Sequence, residues 1–537
     1  MRMALILRVR STRCVSIFFN GDGTPYLLVN KDATNEQSVN YLDQAVIETD
    51  GKDNDHTAEI KTKAVLVLNG ETKAIPASVI AVINPDVLDN TTLQSGTMTL
   101  SELRTSATGS KFHDDTNGFV MSNSVYESAG QDVCSTPVAN NVFASSEAAL
   151  KKPVDIYVER VNAKVNAKID ADYVRTNETE KAWSKNAEGK YQINVGNIDV
   201  TTYAENTNAT PTTKTYPVYA VVQGWQVADA NGKAEVCKQI NTAWYAGELG
   251  ISPWTTSDYH RCFWSKSVPF NFGAQGGVNH PVNPKFENIK LSLSGDFSTT
   301  PVYTLPNTPT EVIANPTTSL NTLTKLIVAA KLVYLDKDGK YKPAQVCQYR
   351  GLTYLGEEAV KKQIVGGFAR YFKKTTTESG DVYKSIEASD IAFKTVVPGS
   401  PESSGVKNYE VVATLASTVG DLYVKNGETW TIASKDDINA ALVKETAQVR
   451  STDGATYYYT PIKHLGEAGK LGEYGIVRNH SYQVTIQNIK GFGTPVYDPK
   501  KEIDPMIPSD ENTYLAASIK VLSWRVVSSK VNLDQTK

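Results

Sequence analysis

Short segments that alternate apolar and polar residues recur along the whole chain, which is the pattern of half-buried β-strands. Clear examples are residues 65–68, 154–158, 216–222 and 482–486. Turn sequences separate such segments, among them residues 20–23, Asp338-Gly339 and Asn426-Gly427. Helical pieces are few and short, and the clearest begins at Ser434, a residue type that caps helices well. The pattern predicts an all-β protein with minor helices.

The chain has 537 residues, too many for one ordinary domain. A polar segment of small residues at 144–153 precedes a new strand pattern, so we predict an N-terminal domain at 1–153 and a second at 154–491. Residues 492–513 carry several prolines and acidic residues and predict an extended, solvated linker. Residues 514–537 then return to a strand pattern, beyond any domain.

This isolated C-terminal strand is the most informative feature of the sequence. A strand needs a sheet for its backbone groups and its apolar face. It can fold back onto its own domain, which the pattern alone favours, or complete the sheet of another subunit by donor-strand complementation. Its apolar residues occupy first one face and then the other, so a bend or bulge is predicted after Val521. They are Leu515, Ala517, Ile519 and Val521, followed by Leu522, Trp524 and Val526.

The N-terminal residues also alternate. Met1, Met3, Leu5, Leu7 and Val9 would share one face of a strand. This segment is either the first edge strand of the first domain or a temporary strand that fills a groove later taken by a neighbour. Arginines at positions 8, 10 and 13 interrupt its apolar run, so we do not interpret it as a signal peptide. Any export signal is expected upstream of Met1 or already removed.

Composition narrows the choice of partners. Lys and Arg number 55 and Asp and Glu 58, giving a net charge of -3 without a basic run that would suit nucleic acid or an anionic membrane surface. No apolar stretch approaches the roughly 20 residues of a transmembrane helix. The cysteines are scattered without a C-x-x-C pair, and we expect isolated, partly buried thiols rather than a metal or redox motif. They are Cys14, Cys134, Cys237, Cys262 and Cys347.

Candidate chemistry is sparse, and the sequence predicts neither an enzyme nor a cofactor. His260 and Cys262 alternate on a strand pattern but lack further metal ligands nearby. Asp50, Asp53 and Asp55 do not follow a calcium-loop order and predict a solvated turn. His464 and His480 have the chemistry of general bases but no accompanying nucleophile motif.

Several segments resemble the Bacteroidales fimbrillins, most closely the shaft subunit of the short, or minor, fimbriae. The strongest likeness lies in residues 457–462 and 475–489, with the run Val477-Arg478-Asn479 at its centre. Residues 158–165, 305–308 and the tail 519–526 agree as well, although Ser523 stands where the family pattern has proline.

The resemblance implies two transthyretin-like β-sandwich domains plus an extended C-terminal donor strand at 514–533. It further implies export through the periplasm as a lipoprotein precursor, trimming after Arg10 or Arg13 by an arginine-specific protease, and polymerisation by donor-strand exchange. Such a subunit would form an extracellular fimbrium on the outer membrane, supporting adhesion and biofilm. Its partners would be copies of itself and accessory, tip and anchor subunits.

Two other functions remain open at this point. A tip or accessory adhesin would bind surface ligands, and a secreted carbohydrate-active β-protein would act on glycans. A tip subunit needs no spare strand, so the strand pattern after Pro508 favours the shaft subunit.

Overall fold

The computed structural model describes residues 13–29, 38–44, 48–49, 60–61, 75–88, 93, 95–106, 108–115, 118–123, 126–128, 131–133, 135–138, 141–152, 154, 156, 158–202, 212–239, 241, 265–270, 279–313, 323–395, 410–503 and 514–523. Within these residues β-strands predominate, and the α-helices are short. The prediction of a mostly β-sheet protein with minor helices is confirmed.

The strands before the predicted domain boundary are β1 (Cys14–Phe19), β2 (Leu28–Val29), β3 (Ser38–Val39), β4 (Tyr41–Gln44), β5 (Glu48–Thr49), β6 (Ile60–Lys61), β7 (Ser78–Ile83), β8 (Thr108–Gly109), β9 (His113–Asp114), β10 (Gly118–Phe119), β11 (Met121–Asn123), β12 (Tyr126–Ser128), β13 (Gln131–Val133) and β14 (Thr136–Pro137).

The strands after it are β15 (Val158–Arg160), β16 (Ala163–Ile169), β17 (Trp183–Lys185), β18 (Tyr191–Thr202), β19 (Thr212–Ala228), β20 (Ala234–Glu235), β21 (Val302–Thr304), β22 (Lys325–Leu335), β23 (Tyr341–Pro343), β24 (Val346–Tyr349), β25 (Leu352–Leu355), β26 (Phe372–Thr377), β27 (Gly380–Ser385), β28 (Ile391–Thr395), β29 (Glu410–Leu415), β30 (Leu422–Asn426), β31 (Thr429–Ile432), β32 (Thr446–Gln448), β33 (Ala455–Pro461), β34 (His480–Lys490), β35 (Thr494–Pro495) and β36 (Tyr514–Ser523). The α-helices are α1 (Leu100–Ser106), α2 (Ser146–Lys151), α3 (Glu357–Gly367) and α4 (Lys435–Leu442).

The first sheet has the order β15-β11-β7-β1-β4, with β14 also paired to β7. Strand β1 lies inside this sheet, and its residues Val15, Ile17 and Phe19 are buried in a core with Ile80 and Val82. Strand β15 belongs to this sheet through its pairing with β11, although its residues follow the predicted boundary at 154. The first sheet therefore takes its edge strand from the start of the predicted second domain.

Two sheets form a sandwich in the second half of the chain. One has the order β21-β16-β34-β36, and the other β17-β18-β19-β22-β33-β35 with β23 paired to β22. Their facing residues form the largest core, which includes Val165, Trp225, Val328 and Val484. Alternation along β16 and β34 gives each strand one face for this core, as the sequence pattern predicts.

The outer face of the larger sheet is also covered. Phe286, Ile289, Val496 and Ile503 pack against it with residues of β22 and β33. Residues 492–503 were predicted as part of a solvated linker, and here the structure differs. Val496 and Ile503 are buried because an apolar sheet face is available to them, and burial of apolar surface stabilises that arrangement. Residues 504–513 lie outside the described residues.

An inserted unit occupies residues 346–449, between β23 and β33. It contains a five-stranded sheet of order β25-β24-β32-β29-β28 and a four-stranded sheet of order β27-β26-β30-β31. With α3 and α4 these strands surround a separate core that includes Val360, Ile364, Leu422 and Ile438. The strand pattern of the sequence did not distinguish this unit from the sandwich around it.

Local signals in the sequence are confirmed where the structure describes them. The Ser434 side chain accepts a hydrogen bond from the backbone N–H of Asp437 at the start of α4. The Asp336 carboxylate accepts hydrogen bonds from the backbone N–H groups of Asp338 and Lys340, at 2.9 and 2.8 Å, and so closes the predicted turn.

Among the described residues, no helix combines the length and apolarity needed to cross a bilayer.

Candidate functional site: the C-terminal strand and the buried junction

The C-terminal strand β36 pairs antiparallel with β34 of the same chain. It forms the edge of the four-stranded sheet, and its residues Ala517 and Ile519 are buried in the large core. Burial of a side chain such as Ile519 is worth roughly 1.5–3 kcal/mol. In this structure the strand thus completes the sheet of its own domain, which is one of the two alternatives that the sequence left open.

The pairing of β36 with β34 continues through the position where a bend or bulge was expected. Val521 lies opposite Tyr482 and Leu522 opposite Ser481, without interruption of the register. A bulge of β36 at this position is therefore wrong, and the one irregularity of the pairing lies on the partner strand, where β34 has one extra residue between Ile486 and Asn488. A bulge in β34 shifts the facing residues without requiring β36 to leave the sheet.

The structure describes the predicted donor strand as far as Ser523. Leu515 lies in β36 opposite Ile489. Trp524 and Val526 fall outside the described residues.

Of the two candidate cleavage residues, the structure describes Arg13. Arg10 lies outside the described residues, as does the alternating segment that contains it. Arg13 immediately precedes β1, and its backbone carbonyl accepts a hydrogen bond of 2.9 Å from the N–H of Asn84. Its guanidinium donates to Asp43 through Nε at 2.8 Å and also contacts Asp86. The hydrogen bond with Asp43 raises the pKa of Arg13.

Three of the segments that carry the family resemblance, residues 158–165, 305–308 and 475–482, meet at one place in the fold together with residues 235–238. This place is here called the junction. Strand β16 pairs in parallel with β34, and Lys164 lies opposite Ser481 in this pairing. The N–H of Asn479 donates to the carbonyl of Asn162 at 3.0 Å. Asn307 and Ile476 exchange backbone hydrogen bonds of 2.8 Å. Segments far apart in sequence thus form one contiguous site.

A buried charged group lies at the centre of the junction. Glu159 and Lys238 are fully buried and form an ion pair of 3.2 Å. The Arg478 Nε lies 4.0 Å from the same carboxylate, and this arginine also donates to the carbonyls of Val236 and Glu235 at 3.2 and 3.0 Å. Burial lowers the pKa of Arg478, against the effect of Glu159. Val236 lies in the core beside the first sheet, together with Val15 and Ile80. The buried charged group therefore joins the first sheet to the sandwich.

Two buried histidines flank this group. The His480 Nδ1 donates to the carbonyl of Arg478 at 2.7 Å, so the neutral ring carries its proton there. His464 Nδ1 lies 3.0 Å from the Tyr482 hydroxyl, which also accepts from the N–H of Val477. Burial lowers the pKa of His480 to about 4 and lowers that of His464 well below its usual value. With exposures of 8% for His464 and 1% for His480, neither is accessible to a substrate.

Arg478 and Glu159 lie in segments that carry the family resemblance, but the sequence pattern did not predict that their charges are buried. Lys238 was missed altogether. In an alternating strand a charged residue predicts the solvent-facing side, so no local signal distinguishes a charge that faces a second sheet.

The structure describes only some of the other candidate residues. Cys14, Cys237 and Cys347 are buried as thiols, in keeping with the sequence prediction. His260, Cys262, Cys134 and the aspartates at positions 50, 53 and 55 lie outside the described residues. Among the residues that the structure describes, no group of three or more His, Cys, Asp or Glu side chains is arranged to hold a metal.

Fold and site together define a β-sheet protein whose terminal strand completes a sheet beside a buried junction. The family model described as major fimbrial subunit protein type IV, fimbrillin, C-terminal matches residues 451–530. This segment contains β33, β34 and β36 together with Arg478. The match supports a subunit of a cell-surface fimbria, which assembles with other fimbrial subunits. It also supports the prediction that the protein is structural and not an enzyme.

Solved structures similar to the chain show low identity. A putative cell adhesion protein from Parabacteroides distasonis ATCC 8503 has 12% identity and a TM-score of 0.37, with 96% of this chain and 95% of that chain covered. A fimbrilin from Porphyromonas gingivalis W83 has 12% identity and a TM-score of 0.33, with coverage of 97% and 93%. TM-scores of this size do not establish a shared topology. None of the curated proteins searched matches the chain.

Proposed function

We propose that the protein is the shaft, or major structural, subunit of a fimbria of the short type, and that it polymerises by donor-strand exchange. The observation that carries the proposal is the placement of β36. This strand is the last described element, follows a proline-rich and acidic segment, and lies at a sheet edge held by one neighbouring strand. An edge strand of this kind can leave one sheet and complete another with the same backbone hydrogen bonds.

In the proposed assembly β36 exchanges its place on its own β34 for a place in a neighbouring subunit. Exchange conserves the number of strand pairs, so its free energy depends on small differences in burial and on the entropy of the linker. The proposed trigger is proteolytic removal of the N-terminal segment, which frees a groove. Export through the periplasm as a lipoprotein precursor and anchoring at the outer membrane are parts of the same proposal.

We propose Arg10 as the cleaved residue. Arg13 is engaged by Asp43, Asp86 and Asn84, and β1 begins at the next residue. A protease must bind an extended, accessible segment on both sides of the cleaved bond, and these contacts oppose that at Arg13. Incubation with an arginine-specific protease should give an N-terminus at Ser11 in the wild type and in Arg13→Ala, but not in Arg10→Ala. An N-terminus at Cys14 would contradict the assignment.

A disulfide lock tests strand exchange directly. Val484 lies opposite Ile519, so Val484→Cys with Ile519→Cys should fix β36 in its own sheet under oxidising conditions. We expect the locked protein, after proteolytic activation, to stay monomeric, and a reductant to restore filaments seen by electron microscopy.

The matched control is Val484→Cys with Ser518→Cys. Adjacent residues of a strand point to opposite faces, so this pair cannot be bridged and should polymerise in both redox states. If the locked subunit polymerises as well as the control, β36 is not the donor. Deletion of residues 512–537 gives a second test, since filaments formed by the truncated chain would exclude donation from this tail.

A further inference from the structure

A second buried ion pair lies at the end of the long pairing between β19 and β22. Lys325 is the first residue of β22 and lies opposite Ala228, the last residue of β19. The next residue, Asp229, meets Lys325 through its Oδ2 atom, and the side chains are 2% and 0% exposed. The two residues are 96 positions apart in the chain. No role in the junction or in the proposed strand exchange accounts for this pair.

Hydrogen bonds fix both partners in place. The Asn283 Nδ2 donates to the Oδ1 of Asp229 at 3.1 Å, and the Asp229 N–H donates to the Asn283 Oδ1 at 2.8 Å. Thr324 donates its hydroxyl to the Asp229 carbonyl at 3.1 Å, and the Lys325 Nζ donates to the Leu323 carbonyl at 3.1 Å. The amine and the carboxyl are therefore held together in one orientation, which is the condition for a large effective concentration.

The environment favours uncharged partners. Burial raises the pKa of Asp229 in spite of the neighbouring lysine. A buried ion pair costs free energy that a neutral amine and a neutral carboxylic acid avoid by moving one proton. The Glu159–Lys238 pair differs, because Arg478 supplies a second cation beside its carboxylate. That second cation favours the ionised carboxylate, which is a poor electrophile.

We propose that Asp229 and Lys325 join in an intramolecular amide bond. After the proton moves from Nζ to Oδ2, the free amine attacks Cγ. Oδ1 takes up negative charge while the Asn283 amide stabilises it. The Cγ–Oδ2 bond then breaks, and Oδ2 leaves as water with two protons that came from the lysine ammonium. Oδ1 remains as the carbonyl of the new amide, so the reaction needs no further reactant.

The released water has a place to go. A cavity of about 320 Å³ is lined by Asn283 itself, together with Gly232, Asn279 and Val282. Removing water from a site that otherwise excludes solvent opposes hydrolysis of the new bond. The bond would tie the ends of β19 and β22 covalently, at the centre of the larger sheet, in monomer and polymer alike.

Intact-mass spectrometry of the purified full chain is the test. We expect a mass lower than the sequence mass by one water. In a tryptic digest, Asp229 lies in the peptide 215–233, and a modified Lys325 escapes cleavage and lies in 291–331. We expect these two peptides to appear as one branched species. An intact mass equal to the sequence mass overturns the proposal, and so does a loss of water with both peptides linear.

Substitutions separate the amide from a structural ion pair. Asp229→Asn should react with loss of ammonia in place of water, a signature that an ion pair cannot produce. Asn283→Ala should accumulate unjoined chain, because the developing charge on Oδ1 loses its donor. The double variant Asp229→Ala with Lys325→Met should show the full sequence mass, and this measurement on denatured chain does not require a stable fold. Lys238→Met is the matched control and should retain the loss of water.

Discussion

At the scale of single residues, the junction depends on charges that water does not reach. Glu159, Lys238 and Arg478 carry one negative and two positive charges in a site where each is 1% exposed or less. Removing either cation takes from Glu159 one of its two partners, and removing Glu159 leaves two buried cations without this carboxylate, so either loss costs free energy. Buried charges here specify how the first sheet meets the sandwich.

Replacing Arg478 by methionine should lower the free energy of unfolding by about 3–5 kcal/mol, because Glu159 loses a cation and two carbonyls lose their donors. Chemical denaturation measures this change. Arg350→Met is the matched control, since Arg350 is 69% exposed and its pair with Glu445 should be worth less than about 1 kcal/mol. Equal effects of the two substitutions would refute the role assigned to Arg478.

His480 should make stability depend on pH. Its pKa is about 4 in the folded protein, below the ordinary value of 6.5. The unfolded chain therefore binds the proton first as pH falls, so the contribution is complete above pH 6.5 and is lost between pH 6.5 and about 4. The total effect is on the order of 3 kcal/mol.

The measurement compares urea denaturation of the wild type with that of His480→Asn across this range. We expect the difference between the two curves to shrink steadily toward pH 4. A constant difference would mean that His480 takes up its proton equally in both states.

At the scale of elements, the sequence predicted strands well and their partners poorly. The alternation in 482–486 and the turn at Asp336 are local signals, and both are confirmed. The inserted unit was not predicted, because its strands have the same period as those around it. The boundaries of the unit become visible only because β22 and β33 pair with each other although the whole unit separates them in the sequence. Such a pairing between distant segments leaves no local signal. The bulge in β34 was likewise invisible to the local pattern.

A glycine fixes the point where the chain returns from the inserted unit to the sandwich. Gly454 has φ +75°, and a Cβ there would lie 2.5 Å from the Leu332 carbonyl oxygen. Gly454→Ala should therefore destabilise the protein by well over the roughly 1–2 kcal/mol of the left-handed conformation alone.

Gly427→Ala is the control for Gly454→Ala in thermal denaturation. Gly427 has φ +62° with nothing within 4 Å of the added Cβ, so only the conformational term applies. If both variants melt at the same temperature, the close approach at Gly454 does not matter.

At the scale of the whole molecule, the inserted unit has a hydrophobic core of its own. Gln348 of β24 lies opposite Gln448 of β32, so the unit begins and ends at neighbouring points. Arg450 just beyond it donates to the carbonyls of Phe492 and Gly493 at 2.7 and 2.6 Å, which anchors the returning chain to the sandwich.

Replacing residues 349–447 by a short glycine-serine linker should leave the rest of the chain folded, since the two remaining ends are adjacent and every buried residue of the large core lies outside the deleted segment. Residues 346–449 expressed alone should also fold, because Val360, Leu422 and Ile438 form a core without the sandwich. Circular dichroism and thermal unfolding check both proteins. Loss of a cooperative transition in the shortened chain would show that the unit is an integral part of the sandwich.

The parallel pairing of β16 with β34 governs when the protein can fold. A chain is synthesised from its N-terminus, so β16 emerges long before its partner β34. Contacts between such distant segments make folding slow, because a very long loop must close first. The four-stranded sheet therefore cannot form until β34 has emerged, and β36, the last strand that the structure describes, joins this sheet after β34. We expect the newly synthesised subunit to pass through a state in which the edge of β34 that pairs with β36 is still open.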